Sequence, residues 1–297
     1  MASKYRMLFR SRAVTHPNPV ARRLFHIADT KRTNLIISAD FKDSRSLLRC
    51  ADALGPYIVA LQTNSALIPD FSDITVNHIK SIAAKHNFLL YETHYVRDDS
   101  LRVENWADII AVSAAGDTLA SLVQAISEPD FAWRGNRAIV AAPEMDVKRA
   151  AAIGFFSHDC VEEARENPAY IMGFVAPQGA YNMSRERQDA GTGTSAEDED
   201  FVHLTTIGLE PMIKDDHRQL YFPLAHGAVK AGSDFVVVGR DVCASMNPVA
   251  AARRCRFEAW DAYESRLPPI RNVWVKKWEF GWVKRPGFGE AVMQYRG

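Results

Sequence analysis

Cysteine is scarce in this chain, four in 297 residues, and no two stand in a C-x-x-C pair. Cys50, Cys160, Cys243 and Cys255 are scattered, which favours free thiols in a reducing compartment over a disulfide framework. Metal-ligand spacing is missing too. None of the nine histidines forms H-x-x-x-H, and His158–Asp159–Cys160 reads as the start of a helix. An excess of one charge is absent: 36 basic side chains balance 36 acidic ones. Nucleic-acid and membrane-surface roles draw on a basic excess, so neither finds support. No apolar run approaches the roughly 18 residues of a membrane span. Met1 to Arg12 lacks the apolar core of a secretory signal before Leu8 and Phe9. These absences lead to an expectation of a cytoplasmic, enzyme-sized protein with a small-molecule partner and neither cofactor nor metal.

What is present is a recurring alternation. Hydrophobic residues make up 47% of the chain, enough for a large core. Asn34–Ala39, Tyr57–Leu61, Phe88–Tyr91, Asp108–Val112, Arg137–Ala142, Tyr170–Val175, Val202–Thr206 and Asp234–Gly239 are short, near-continuous apolar runs. Such runs suit parallel strands buried on both faces. Helical patterns separate them. Asp43 to Leu54 offers Asp43 or Ser44 as a cap, sets Leu47, Ala51 and Leu54 on one face, and stops at Gly55–Pro56. Asp73 to Lys85 places Ile74, His78, Ile79 and Ile82 at roughly helical spacing. Eight strands alternating with helices predict an α/β fold, a single-domain (β/α)8 TIM barrel, in preference to an open doubly wound sheet.

The expected domain layout is a helical segment over 1–33 packing on the barrel, the barrel over 34–267, and a Trp-rich extension over 268–297. The charged, Gly/Ser/Thr-rich stretch near 184–200 reads as a mobile loop after the sixth strand rather than a dinucleotide fingerprint. Trp274, Trp278 and Trp282 stand at i, i+4, i+8, a spacing suited to packing against the barrel or a partner subunit.

In a barrel of this kind, chemistry lies just past the C-terminal ends of the strands. Those positions hold Ser38 and Asp40, Gln62 and Asn64, Thr93, His94, Tyr95 and Asp98, Asp146, and Arg240 after Gly239. Polar groups gathered at one mouth make a candidate active site.

The blocks Thr15–Leu35, Asp52–Asn64, His86–Glu92, Asn105–Ile109 and Ala231–Arg240 occur in an order that resembles the fungal orotidine 5′-phosphate decarboxylases, with the likeness running from about Thr15 to Tyr263. The resemblance implies a homodimer with a uridine nucleotide across the barrel mouth. Its phosphate would be held by Gln219, Tyr221 and Arg240, with Gly239 allowing close backbone approach. An arginine fork flanked by neutral donors suits a phosphate or carboxylate. Asp40 would hold the ribose and Ser38 the pyrimidine.

The family's catalytic array of two lysines and two aspartates is largely replaced. Its strand-two Lys aligns with Gln62, and its D-x-K-x-x-D motif reads from Thr93 through Tyr95 to Asp98, so that only Asp98 remains. The family's Ser after strand five aligns roughly with Asp146. Loss of CO2 leaves a ring carbanion that must be stabilised and protonated, and a neutral Gln cannot donate that proton. The expectation is therefore a repurposed enzyme of specialised metabolism. It would be a cyclase, with a Diels–Alderase as one form, or an isomerase or lyase, acting on an apolar substrate that bears a carboxylate or phosphate. Two alternatives stand beside it: an inactive nucleotide-binding regulator, and a genuine decarboxylase with displaced catalytic groups.

Overall fold

A computed structural model describes residues 4–93, 106–113, 118–127, 137–142, 158–175, 200–208, 212–215, 218–221 and 224–268. The strands are β1 Leu35–Ser38, β2 Ala60–Thr63, β3 Leu89–Glu92, β4 Ile109–Ser113, β5 Ala138–Ala142, β6 Ile171–Val175, β7 Val202–Thr206, β8 Met212–Asp215, β9 Arg218–Tyr221 and β10 Phe235–Val238. β1 to β7 and β10 form a closed eight-stranded parallel barrel, because β10 pairs with both β7 and β1. β8 and β9 are a separate antiparallel hairpin. The TIM-barrel expectation is met, and all eight apolar runs contribute a barrel strand.

The helices are α1 Phe9–Thr15, α2 Pro19–Lys31, α3 Ser44–Leu54, α4 Asp73–His86, α5 Thr118–Ser127, α6 His158–Glu166, α7 Ala225–Lys230, α8 Arg240–Cys243 and α9 Pro248–Arg266. Local chemistry sets their ends. Asn18 caps α2 by accepting from Val20 and Ala21 N–H, with Pro19 at the first helical position. Asp43 caps α3 by accepting from Ser46 N–H, and Leu47, Ala51 and Leu54 are fully buried. α4 ends on Asn87 at φ 53°, a left-handed position that asparagine tolerates.

Two sequence expectations shift. β2 begins at Ala60 rather than Tyr57, because Gly55–Tyr57 continues α3 as a 3-10 turn. The buried face of α4 is Thr75, Ile79 and Ala83, one register away from Ile74, which is 69% exposed. The β8–β9 hairpin has no counterpart in the sequence reading.

Gly173 in β6 is a place where only glycine fits. A Cβ there would collide with the backbone carbonyl of Val202 in β7. The register between β5 and β6 also shifts at Ile139/Val140, so β6 is drawn tightly against its neighbour where the barrel curves.

The N-terminal ends of the strands are closed by α1 and its surroundings. Phe9 stacks on Tyr263 at 4.0 Å between ring centroids and on Phe235 at 5.4 Å. Beside it Arg12 is fully buried, donating to Asp234 and Asp200 at 2.6 Å each and to the Phe201 carbonyl at 3.2 Å. Lys31 donates to four backbone carbonyls, those of Gly55, Ile58, His86 and Asn87, and so ties α2 to the entries of β2 and β3. The chain to Leu267 is one compact unit and Pro268–Gly297 a second. Residues 269–297, with the three spaced tryptophans, lie outside the described residues, as do 184–199.

Candidate active site

Strand register decides which side chains share the mouth. Ser38 pairs with Gln62 across β1 and β2, and Gln62 pairs with Tyr91 across β2 and β3. Side chains alternate along a strand, so Ser38, Gln62 and Tyr91 share one face at one level. Asp40, Asn64 and Thr93, each two residues further on, continue that face at the strand exits. The sequence-predicted residues on the first three strands therefore converge.

Their bonding differs from one to the next. Ser38 Oγ donates to Asp40 Oδ2 at 3.3 Å, and Asp40 is exposed. Gln62 Oε1 and Asn64 Oδ1 are buried acceptors with no hydrogen-bond partner among the described residues. Each is left able to take an N–H or O–H from a ligand. Thr93 is engaged in the barrel itself: its N–H donates to Thr63 O at 2.9 Å and its hydroxyl to the same oxygen at 3.1 Å. A hydroxyl used this way holds the β2–β3 exit together and is a poor candidate for moving protons.

On the other side of β1, Gly239 follows β10. A Cβ at Gly239 would lie 3.3 Å from both Ser38 Cβ and Ser38 O, so glycine keeps the two strand exits close. Arg240 is the exposed first residue of α8. Gln219 and Tyr221 lie on β9, paired in register with Lys214 and Met212 of β8. His94, Tyr95, Asp98 and Asp146 lie outside the described residues.

Two mouth-side residues escaped the sequence reading. Glu92 closes β3 as a fully buried carboxylate, accepting from Ser65 N–H at 2.9 Å and from Ser65 Oγ at 3.0 Å. It lies on the face opposite Tyr91 and Thr93, so its work is to pin the loop after β2. The sequence signal was a charge ending the apolar run Phe88–Tyr91. Lys42 is an exposed ammonium in the loop that follows Asp40.

A cleft of about 320 Å3, bordered by Arg32, Arg256, Trp260 and Glu264, belongs elsewhere. It adjoins the N-terminal side of β1, and three of its charged side chains are already engaged. Arg32 pairs with Glu264 at 2.6 Å, and Arg256 donates to the carbonyls of Lys31 and Arg32. Barrel chemistry belongs at the opposite end. Among the described residues, no group of three or more His, Cys, Asp or Glu could hold a metal, and no helix is long and apolar enough to cross a membrane.

The model of the orotidine 5′-phosphate decarboxylase / HUMPS family matches residues 33–255. The orotidine 5′-phosphate decarboxylase of Aspergillus fumigatus is 35% identical over 280 residues, covering 90% of this chain and 99% of that protein. The Coccidioides posadasii protein of the same name is 36% identical over the same shares of both chains. Among solved structures, orotidine 5′-phosphate decarboxylase from Pyrococcus horikoshii superposes with a TM-score of 0.52 at 19% identity, over 76% of this chain and 98% of that one. The Methanocaldococcus jannaschii enzyme complexed with inhibitor BMP gives 0.52 at 16% identity over the same shares. These structural likenesses show the fold.

The expectation of a repurposed cyclase, Diels–Alderase, isomerase or lyase of specialised metabolism is overturned by the relatives. Their identity spans nearly the whole of both chains, and all carry the decarboxylase name. The expectation leaned on three altered positions, Gln62, Thr93 and Tyr95. Against these three stands a likeness over 90% of the chain.

Proposed function

Because the chain belongs to the orotidine 5′-phosphate decarboxylase / HUMPS family, we propose that it decarboxylates orotidine 5′-phosphate at the C-terminal mouth of the barrel. The observation that carries this reading is the 35% identity to a decarboxylase over 90% of this chain and 99% of that relative. In the proposal Arg240, with Gln219 and Tyr221 from the hairpin, takes the 5′-phosphate, and Gly239 lets the backbone approach it. Asp40 accepts from the ribose hydroxyls. Ser38, Gln62 and Asn64 face the pyrimidine, where one of the two amide oxygens left without a partner among the described residues accepts from its single ring N–H.

Breaking the bond between the ring carbon and the carboxylate leaves an electron pair on the ring and releases CO2. A nearby cation stabilises that pair, and an acid then delivers a proton to it. Neither Gln62 nor the engaged Thr93 hydroxyl serves as that acid. Lys42, in the loop immediately after Asp40, is the ammonium we assign to this role. His94, Tyr95, Asp98 and Asp146 belong to the same proposal as residues of the altered strand-three and strand-five exits, with Asp98 completing the site of the second subunit of a cytoplasmic homodimer.

The test is release of labelled CO2 from orotidine 5′-phosphate labelled at its carboxyl carbon, by the wild-type chain and by Lys42→Gln. Turnover by the wild type that falls at least a hundredfold in Lys42→Gln, with uridine monophosphate still bound, supports the proposal. Turnover unchanged by the substitution removes Lys42 from its role. The neutral Gln62 in place of a lysine favours a second reading, a nucleotide-binding protein without turnover. That reading is the outcome if uridine monophosphate raises the melting temperature while no CO2 appears. A ligand at about 100 times its dissociation constant stabilises by roughly 2.7 kcal/mol.

A further inference from the structure

Among the four thiols, two meet. Cys50 lies on the inner side of α3, one turn after Leu47, and Cys243 is the last residue of α8. Their sulfurs are 4.0 Å apart although 193 residues separate them in sequence. Both are half-buried, whereas Cys160 and Cys255 are buried on other helices. Cys243 Sγ also lies 3.7 Å from the Ser38 carbonyl, so the pair sits directly behind the exit of β1.

We propose that Cys50 and Cys243 are a dithiol site that closes to an intramolecular disulfide by exchange with a small-molecule disulfide such as oxidised glutathione. Sulfurs already in van der Waals contact need to close to about 2.05 Å, a move that side-chain rotation and a small shift of a one-turn helix supply. The exchange has two steps. The Cys243 thiolate attacks one sulfur of glutathione disulfide, forming a mixed disulfide and expelling one glutathione thiolate. Cys50, losing its proton to solvent, then attacks the Cys243 sulfur and expels the second glutathione. Two protein thiols are oxidised to one disulfide, and one glutathione disulfide is reduced to two glutathione molecules.

The surroundings support this order of attack. The hydrogen bond with Cys50 holds the Cys243 thiol below its ordinary pKa, against burial and the nearby Asp40 carboxylate, while Cys50 is pushed up. Burial raises Cys160 to about 11 and Cys255 to about 12, which leaves them poor nucleophiles. Closure would tie α3 to the short helix whose first residue is Arg240.

The experiment incubates the dilute, full-length protein in oxidised and then reduced glutathione buffers. Remaining thiols are alkylated and tryptic peptides mapped without reduction. Cleavage after Arg49 and Arg240 releases Cys50 and Cys243 on the separate peptides 50–80 and 241–253. The expected result is one linked species of these two peptides, lighter by two hydrogens than their sum and separated again by dithiothreitol. Cys50→Ser and Cys243→Ser should each abolish it, and Cys50→Ser should leave a glutathione adduct on Cys243. Stable glutathione adducts on both residues of the wild type, or both residues still open to alkylation after oxidation, or a link that runs through Cys160 or Cys255, would overturn the proposal.

Discussion

Ser38 and Gln62 stand opposite one another in the parallel register of β1 and β2, on one face and at one level of the barrel mouth. Gln62 Oε1 is buried there without a partner among the described residues, so the described part of the barrel gains no hydrogen bond from it. Gln62→Ala should therefore leave the unfolding midpoint in urea nearly unchanged. It should weaken uridine monophosphate binding by about two- to tenfold, the worth of one neutral hydrogen bond. Titration calorimetry beside a urea melt reads both. A large loss of stability with unchanged affinity would make Gln62 a structural residue.

Arg240 is exposed at the start of α8, so its removal should not disturb packing. Arg240→Ala should lower affinity for uridine monophosphate about tenfold or more while uridine, which lacks the phosphate, binds as before. Equal loss for both ligands would move Arg240 away from the phosphate.

At the other end of the barrel, Arg12 and Asp234 form an ion pair at 2.6 Å with both side chains fully buried. Removing the arginine leaves the buried carboxylate with the Arg266 guanidinium at 3.3 Å and the His203 backbone N–H, which donates to it at 3.0 Å. Arg12→Ala should cost about 3 kcal/mol or more. Arg32→Ala breaks the exposed pair with Glu264 and should cost less than about 1 kcal/mol. Urea denaturation of the two variants checks the contrast, and equal effects would contradict it.

Acid should weaken the fold through its buried imidazoles. Burial holds His16 down at about 4, helped by Arg12, and burial with Lys4 holds His203 well below the usual imidazole value. In the unfolded chain both take up protons near 6.5. The unfolded state therefore binds more protons between pH 6.5 and about 4. The stability of the neutral buried rings is fully present above 6.5 and is lost as the pH falls through that window. Asp234 extends the decline to lower pH. Burial works against its charge, but Arg12, Arg266 and Lys4 together hold its carboxyl below the usual range. Urea midpoints at pH 7.5, 6 and 5 should fall in that order, and a flat series would contradict the assignment.

The barrel was legible because its signal is repeated eight times. Each buried parallel strand writes an apolar run, and errors at one end, as at Tyr57, do not alter the count. Helix caps were legible for the same local reason, Asp43 being a short polar residue just before an apolar face. On α4 Ile79 is buried and Ile82 packs against the core as read, but Ile74 is exposed because Thr75 takes its core position. The hairpin of β8 and β9 was missed because Met212–Asp215 and Arg218–Tyr221 carry no strong alternation. At the site, the strand-exit rule located Ser38, Gln62 and Asn64, but residue type alone could not reveal that Thr93 donates to Thr63 O. Bonding partners are a property of register, not of composition. Function misled for a related reason. Three altered side chains were weighed above a likeness that extends over 90% of the chain.

The central claim is that this mouth breaks the bond between the carboxyl group and the pyrimidine ring and protonates the ring carbon left behind. The most direct measurement follows orotidine 5′-phosphate with the purified full-length protein in heavy water by proton NMR. Decarboxylation predicts loss of the substrate signals and growth of uridine monophosphate that carries deuterium, not hydrogen, at the carbon that bore the carboxylate. Unchanged orotidine 5′-phosphate after prolonged incubation, with the nucleotide demonstrably bound, would contradict it.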